Sequence, residues 1–307
     1  MTGPLRGIAC KIASVTCFVI MAAIIKATAS VVPAGQAVFF RSLFAIPVIL
    51  VWLTARGELR RGLATAHPLG HAWRGIAGTT SMILIFAALG LLPLPEATAL
   101  GYATPLLLVI FAAMFLRERV RVFRLLAVLV GLAVVLIVLS PRMTLGVEGA
   151  TSAETLGAVL ALGGATFAAL AQVYVRKLVR SEETAAIVFY FSVTGACVGL
   201  LTLPFGWVLP TPGQTVLLIA AGLIGGVGQI LLTESYRYAE ASLIAPFEYT
   251  SMLLAILIGY FVFSEIPTRT TIVGATLIVA AGLFIIWRER QLGLARARAR
   301  QAMTPQG

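Results

Sequence analysis

The sequence is poor in charged residues. Of its 307 residues only 11% are charged while 60% are hydrophobic, and the mean hydropathy is +1.00. Soluble globular proteins carry about 25% charged and about 45–50% apolar residues. A water-soluble fold of this size cannot bury such a surplus of apolar surface. The composition therefore excludes a soluble enzyme, a secreted domain and a disordered tail, and it indicates an integral membrane protein.

Residues that commonly carry enzyme or metal chemistry are also scarce. The three cysteines lie in apolar stretches without the spacing of metal ligands, which indicates small buried residues. The two histidines, His67 and His71, have a spacing that a metal could use on a helix, but Pro68 argues against a regular helix there and no carboxylate accompanies them. A Walker-type GxxxxGK[ST] sequence is absent. We therefore expect no cofactor, no metal and no enzyme activity.

What the sequence has instead is a series of long apolar runs. A helix that spans a bilayer needs about 20 apolar residues, and ten runs meet this length. Proline-containing stretches separate several of them, where a helix should end. The sequence predicts an all-α integral membrane protein with ten transmembrane helices. The predicted spans are 6–28, 35–54, 72–91, 95–115, 121–140, 155–176, 185–204, 213–234, 242–262 and 270–287.

The basic residues are distributed unevenly between the two sides of these spans. With a cytoplasmic N-terminus, 19 of the 23 Lys and Arg residues fall on the cytoplasmic side, a count that includes Lys11 and Arg74. Lys26 and Arg41 lie within spans. The bias predicts that both termini are cytoplasmic, and the Arg-rich tail at 291–307 is expected to lie against anionic lipid. Brief basic clusters between apolar runs argue against a nucleic-acid partner.

The two halves of the chain resemble each other. A shift of 147 residues places Tyr102 on Tyr249 and aligns the surrounding apolar sequence. Each half contains five predicted spans, an odd number, so the second half must enter the membrane with the opposite orientation. We expect a first five-helix repeat over 1–145, a second, inverted repeat over 150–290 and a basic cytoplasmic tail over 291–307. Inverted repeats recur in secondary transporters, which bind substrate near the midplane between the repeats.

Three stretches resemble the EamA-type members of the drug/metabolite transporter superfamily. They are FFRSLFA around Arg41, the run MFLRE that ends at Glu118 after Pro105, and its second-half counterpart VFSE that ends at Glu265. The resemblance covers about residues 6–288. It implies a ten-helix exporter or facilitator of small metabolites in the bacterial inner membrane, with amino acids as a prominent substrate class. It also implies a central cavity surrounded by spans 1–4 and 6–9.

The second half departs from this pattern at two positions. Met252 replaces the proline that would match Pro105, and Tyr190 stands where the first half has Arg41. The sequence therefore gives no reason to expect both halves to bend in the same way.

Ionisable residues within the spans are candidates for function, because charge is costly in hydrocarbon. Arg41 is expected to pair with a substrate carboxylate or to fix a helix end, and Lys26 to reach the external interface. Glu248 has two interpretations. It accepts a proton or binds a substrate amino group, or it pairs with nearby Arg237 or forms a hydrogen bond to a loop. Glu265 is expected to cap the end of the ninth span.

Polar residues in the spans complete the candidate binding site. Tyr102 and Tyr249 are expected to hold a substrate between them, with aromatic packing as the alternative. Pro105 removes a backbone hydrogen bond and bends the helix beside Tyr102. Thr79 and Gln229 lie in small-residue stripes of the third and eighth spans, which allow helices to pack closely. Their polar groups either face a hydrated cavity or are satisfied within the bundle.

These observations predict a secondary transporter of the bacterial inner membrane that exports small metabolites, with amino acids as the expected substrates, by alternating access through a central cavity. The alternative is an exporter of another small metabolite or of a drug on the same fold. A membrane-embedded lipid enzyme is a further alternative, although the sequence lacks the acid–base cluster that such a site requires. Proton-coupled and downhill transport are both compatible with the sequence.

Overall fold

The computed structural model describes residues 3–116, 152–179, 181–239 and 244–269, together with single positions between 272 and 291. These residues form helices joined by short turns, and no strand occurs among them. Six of the helices are long and apolar enough to cross a membrane. They are Leu5–Thr28, Ala34–Ala55, Pro68–Leu91, Ser152–Leu178, Thr184–Leu201 and Pro212–Tyr238. The described part of the chain is thus all-helical, with the helix lengths and composition of a multi-pass membrane protein.

We number the described helices in chain order. They are α1 (Gly3–Thr28), α2 (Ala34–Ala55), α3 (Leu59–Gly62), α4 (Pro68–Leu91), α5 (Leu94–Gly101), α6 (Ala103–Leu116), α7 (Ser152–Leu178), α8 (Thr184–Leu201), α9 (Pro212–Tyr238) and α10 (Thr250–Phe263). Two short 3-10 helices, Leu203–Phe205 and Ala245–Tyr249, accompany them. Eight predicted spans coincide with these elements. The span at 121–140 lies outside the described residues, and the span at 270–287 is described only at separate positions.

Proline marks the starts of several helices. Pro33 precedes α2 in an extended conformation, and Pro212 begins α9 behind a capping box in which Thr211 and Gln214 exchange hydrogen bonds. Pro68 is the first residue of α4, where a missing N–H costs nothing. His67 precedes the helix in a non-helical conformation and only His71 lies within it, so no regular helix carries both histidines, as predicted.

The fourth and ninth predicted spans are both interrupted, and at matching residues. Helix α5 ends at Gly101, α6 begins at Ala103, and Tyr102 lies between them. In the second half a 3-10 segment ends at Tyr249 and α10 begins with the next residue. Pro105 deprives the Gly101 carbonyl of its helical donor. The second half reaches an equivalent interruption without a proline at Met252.

Helices from the two halves pack against each other in reciprocal pairs. Helix α1 lies along α9, and α4 lies along α7; α2 packs against both α8 and α9, and α4 also contacts α8. Glycine permits the close approach of α9 to α2, since a Cβ built on Gly226 would lie 3.0 Å from the Cα of Ala45. The largest group of buried apolar residues lies among α1, α2, α4 and α9. This arrangement brings α2, α4 and α8 together in the interior.

Candidate functional site

Two buried arginines contact one aromatic ring in the interior. The guanidinium carbons of Arg41 in α2 and Arg74 in α4 lie 5.2 Å and 3.8 Å from the centre of the Phe191 ring in α8. The two residues are only 2% and 5% exposed. Cation–π contact stabilises each charge by about 0.5–2 kcal/mol, which does not offset the cost of burying an unpaired charge.

The polar atoms around this ring lack protein partners. Nε and Nη1 of both arginines are buried and make no hydrogen bond within the described part of the chain, and the same holds for the hydroxyls of Ser42 and Thr79. Most buried polar atoms in folded proteins are paired. A cluster of unpaired donors with two positive charges is therefore suited to binding an anionic, hydrogen-bond-accepting ligand.

Three glycines make room for this cluster. A Cβ built on Gly225 of α9 would lie 3.2 Å from Nε of Arg41, and a Cβ on Gly78 would lie 2.8 Å from the Phe191 ring. A Cβ on Gly195 of α8 would approach the hydroxyls of Ser42 and Thr79. The 147-residue shift relates Gly78 to Gly225, so matching glycines of the two halves lie beside Arg74 and Arg41.

A pair of tyrosines occupies the two helix interruptions. The rings of Tyr102 and Tyr249 are 5.3 Å apart in an edge-to-face arrangement. The Tyr102 hydroxyl lies 2.8 Å from Oγ of Ser251, whose own proton goes to the Glu248 carbonyl at 2.6 Å, so the phenol is the donor to Ser251. Tyr102 is 3% exposed. The two rings contact each other directly.

An ion pair joins the start of the chain to its second half beyond these tyrosines. Nζ of Lys26 lies 2.9 Å from Oε1 of Glu265 and donates to the carbonyls of Leu89 and Leu92 at 3.3 and 2.6 Å. The other Glu265 oxygen accepts the Leu94 N–H at 2.8 Å. Glu265 therefore caps the start of α5 and not, as predicted, the end of its own span.

A second ion pair joins α1, nearer its N-terminus, to the 3-10 helix Ala245–Tyr249. Lys11 of α1 donates to Glu248. The Lys11 side chain is 3% exposed and that of Glu248 46% exposed. The expected local pair between Glu248 and Arg237 does not form; Arg237 contacts Glu183 at 3.2 Å instead. A contact across 237 residues replaces the local one, which sequence proximity alone had suggested.

A third polar cluster connects the segment before α4 with the turn between α7 and α8. Oε1 of Glu182 accepts hydrogen bonds from the N–H groups of Ala66 and His67 at 2.9 and 3.0 Å and from the Thr65 hydroxyl at 3.1 Å. Nε2 of His71 lies 3.5 Å from Oε2 of Glu182. Burial opposes ionisation of this carboxyl, but the hydrogen bonds and His71 prevail and lower the pKa of Glu182.

His71 therefore has an acidic neighbour that sequence distance concealed. Its ring also lies 4.9 Å from the ring of Tyr190, whose hydroxyl donates to the Leu63 carbonyl at 3.0 Å. The prediction that no carboxylate accompanies the histidines was wrong. Among the residues described here, no group of three or more His, Cys or acidic side chains is arranged to hold a metal. The cysteines of the described helices are free; they are Cys10, Cys17 and Cys197.

The predicted site residues thus fall into two groups. Arg41 and Thr79 belong to the cluster at Phe191, whereas Tyr102, Tyr249 and Glu248 belong to the interrupted helices. Gln229 is 8% exposed and lies one helical turn beyond Gly225 on α9. Pro105 lies in the first turn of α6. No hydrogen bond or ring contact within the described ranges joins the two groups.

Sequence reasoning missed Arg74, Lys11 and Phe191. Arg74 and Lys11 had been assigned to cytoplasmic segments, yet the structure buries Arg74 inside α4 and Lys11 inside α1. The signal was available for both, because each lay inside a predicted span, at 72–91 and 6–28. No such signal exists in the sequence for Phe191, since nothing distinguishes one phenylalanine in an apolar run from another.

Comparison with known proteins identifies the family. The model of the EamA-like transporter family matches residues 5–140 and again 155–287. The chain is 32% identical over 270 residues to the pseudopaline exporter CntI of Pseudomonas aeruginosa, covering 86% of this chain and 90% of the exporter. It is 28% identical over 256 residues to the S-adenosylmethionine uptake transporter of Rickettsia bellii, covering 83% and 84%.

A solved crystal structure has the same fold. It superposes with a TM-score of 0.65 at 23% sequence identity, covering 92% of this chain and 98% of the other. The named relatives are transporters and not enzymes, and they handle small molecules. The chain belongs to the EamA-like transporter family and is a multi-pass membrane transporter.

Proposed function

We propose that the chain is a secondary transporter of the bacterial inner membrane that exports small metabolites, amino acids among them, by alternating access. It consists of ten transmembrane helices arranged as two inverted five-helix repeats, over 1–145 and 150–290, with a basic cytoplasmic tail over 291–307. The separate matches of the family model to residues 5–140 and 155–287 support this division, as do the bacterial relatives.

The observation that carries the proposal is the reciprocal packing of the two halves. The interruption of the fourth predicted span corresponds to that of the ninth. By the same correspondence between the halves, α1, α2 and α4 correspond to α7, α8 and α9. If each helix is replaced by its counterpart in the other half, the α1–α9 contact becomes the α7–α4 contact. The α2–α8 contact is unchanged, because these two helices are counterparts of each other. Both pairs are present. Such an exchange is the property of two repeats related by an in-plane pseudo-two-fold axis.

This arrangement supports alternating access in a physical way. Two equivalent halves have two equivalent ways of packing, one closed at each membrane face. The Lys26–Glu265 pair links the two halves at one face, and we propose that it keeps that face closed. We assign this face to the exterior and both termini to the cytoplasm, because basic residues favour that side. The basic tail at 291–307 then lies at the cytoplasmic surface against anionic lipid.

The residues proposed to bind substrate are those in the two interior groups. Arg41 binds the substrate carboxylate, and Thr79 and Gln229 supply further hydrogen bonds. Tyr102 and Tyr249 must separate to admit an apolar side chain between their rings, with Pro105 weakening the adjoining helix. Glu248 receives a substrate amino group or a proton once its pair with Lys11 opens. S-adenosylmethionine, named for one relative, carries an amino-acid head group of this kind.

Flux measurements test the proposal. Purified protein is reconstituted into liposomes loaded with radiolabelled amino acids, with and without a pH gradient, and protein-free liposomes serve as the control. We expect efflux of at least one amino acid without ATP. Dependence of this efflux on the gradient would establish proton coupling. Efflux no faster than from protein-free liposomes for every solute tested would overturn the proposal. If the protein exports only a drug or another metabolite, the proposed fold stands and the proposed amino-acid substrate is wrong.

The proposed topology has its own test. Single cysteines are introduced at Glu58, between α2 and α4, and at Leu209, between α8 and α9, in a cysteine-free background. Both positions are exposed. In intact cells an impermeant maleimide should label position 209 and leave position 58 unlabelled until the membrane is permeabilised. The opposite pattern would reverse the assignment of the termini.

A further inference from the structure

We propose that Arg41 and Arg74 form a two-guanidinium subsite that selects substrates with two anionic groups, namely acidic amino acids or short dicarboxylates. The inference rests on the proposed transport function and narrows its substrate class. The starting observation is that both guanidinium groups contact Phe191, both are buried, and neither has an acceptor in the part of the chain that the structure describes.

Arg41 and Arg74 form no ion pair with the carboxylates of the described residues. Those of Glu182, Glu248 and Glu265 are already engaged by His71, Lys11 and Lys26. Glu234 has one unpaired oxygen. However, it lies nine residues beyond Gly225 on α9, about 13 Å along the helix from the level of Arg41.

The geometry fits two carboxylates better than one. Since both guanidinium carbons are measured from the same ring centre, they lie within about 9 Å of each other, where like charges in a low-dielectric site repel. A neutral amino acid would bring one carboxylate and one further positive charge. An acidic amino acid or a dicarboxylate brings one carboxylate for each guanidinium, and each pair can be bidentate. The unpaired hydroxyls of Ser42 and Thr79 both lie beside Gly195, one helical turn beyond Phe191 on α8.

The position of the subsite suits transport. Both arginines come from the first half and Phe191 from the second, so any movement of one half against the other changes the contact of the ring with the guanidinium groups. Helices α2 and α8, which carry Arg41 and Phe191, are the pair that the exchange of halves leaves unchanged. They therefore lie at the pseudo-two-fold axis, where inverted-repeat transporters bind substrate.

The experiment compares four radiolabelled probes in proteoliposomes: glutamate, succinate, leucine and glycerol 3-phosphate. Thermal stabilisation of the purified protein by unlabelled succinate is measured in parallel. We expect glutamate and succinate to move faster than leucine. Arg41→Gln and Arg74→Gln should each reduce that flux by at least about tenfold, as expected for loss of a charge-assisted hydrogen bond, and should abolish the stabilisation. The matched control is Arg56→Gln, because Arg56 is an exposed arginine at the C-terminal end of α2, the helix that carries Arg41; it should behave as wild type.

The outcomes separate the subsite from the transport function. Leucine flux that is unchanged in Arg74→Gln, without stabilisation by succinate, would overturn the subsite and leave the transporter. Movement of glycerol 3-phosphate but not of succinate or glutamate would overturn the dicarboxylate class in favour of a phosphate. Stabilisation by succinate that the variants abolish, without flux of any probe, would retain the subsite and overturn the transport function. If Arg74→Gln does not fold, the subsite is tested by the flux and stabilisation of Arg74→Lys and by the preference of the wild type among the four probes.

Discussion

Lys26 and Glu265 form an ion pair of 2.9 Å between α1 and the segment that follows α10, although 238 residues separate them in the chain. The two side chains are 14% and 17% exposed, and each also bonds to backbone around the start of α5. The pair therefore holds together three separate segments at one face of the bundle.

Replacing Lys26 by glutamine should destabilise the protein and loosen this face. A mostly buried carboxylate that loses its partner retains its desolvation cost, and we expect a loss of about 2 kcal/mol, measured by thermal unfolding in detergent. Glu265→Gln should cost a similar amount, and the double variant less than the sum of both. The control is Arg56→Gln, whose pair with Glu58 is 44% and 52% exposed and should contribute under about 1 kcal/mol. Additive losses would mean that Lys26 and Glu265 act independently.

Removal of the Tyr102 ring should impair transport more than removal of a lipid-facing ring. Tyr102→Ala deletes the contact with Tyr249 and the hydrogen bond to Ser251, whereas Phe115→Ala alters a side chain that is 60% exposed. We expect Tyr102→Ala to lose most of the flux per folded molecule and Phe115→Ala to retain it. Tyr102→Phe keeps the ring, so its flux should stay close to wild type with a stability loss of about 1 kcal/mol. Equal effects of the two alanine variants would remove Tyr102 from the binding site.

The helices could be predicted from sequence because each apolar run exceeds the thickness of a bilayer, whatever its neighbours are. Helix ends followed from residues such as Pro33 and Pro212, which separate the apolar runs. What apolar length cannot reveal is which buried charge meets which. Glu248 pairs with Lys11 rather than with the nearby Arg237, and His71 contacts Glu182. These partners are brought together by helix packing.

The candidate site could also be predicted only in part: individual residues were recognised, but their burial and partners were not. Arg41 was recognised because a charge in an apolar run is conspicuous, and Tyr102 because it has a counterpart in Tyr249. Arg74 was counted with the cytoplasmic segments because it lies near the start of its span, although its position inside the predicted span at 72–91 was a signal; the structure shows that it is buried where α4 packs against α8.

A methyl group added to Gly226 should weaken the packing of α2 against α9. The Cβ of Gly226→Ala would lie 3.0 Å from the Cα of Ala45, a backbone atom that cannot rotate away. We expect a loss of about 1–3 kcal/mol in thermal unfolding, as for an overpacked core. Gly213→Ala in the first turn of the same helix is the control, since nothing lies within 4 Å of its Cβ, and it should gain up to about 1 kcal/mol from helix propensity. A neutral Gly226→Ala would mean that the two helices separate without cost.

The contact of Glu182 with the segment before α4 should make stability depend on pH in a defined direction. Because hydrogen bonds from Ala66 and Thr65 and the nearby His71 together lower its pKa against the effect of burial, the carboxylate stabilises the fold above the ordinary glutamate value of about 4.3. This contribution is lost as the pH falls through the lowered value. The thermal stability of wild type should therefore exceed that of Glu182→Gln at a pH of about 7, and the gap should close as the pH falls below about 4. Glu183→Gln, which removes an adjacent and exposed carboxylate paired with Arg237, should show little difference from wild type at either pH. If the Glu182→Gln gap stays constant across this range, the contact acts through packing and not through the charge of Glu182.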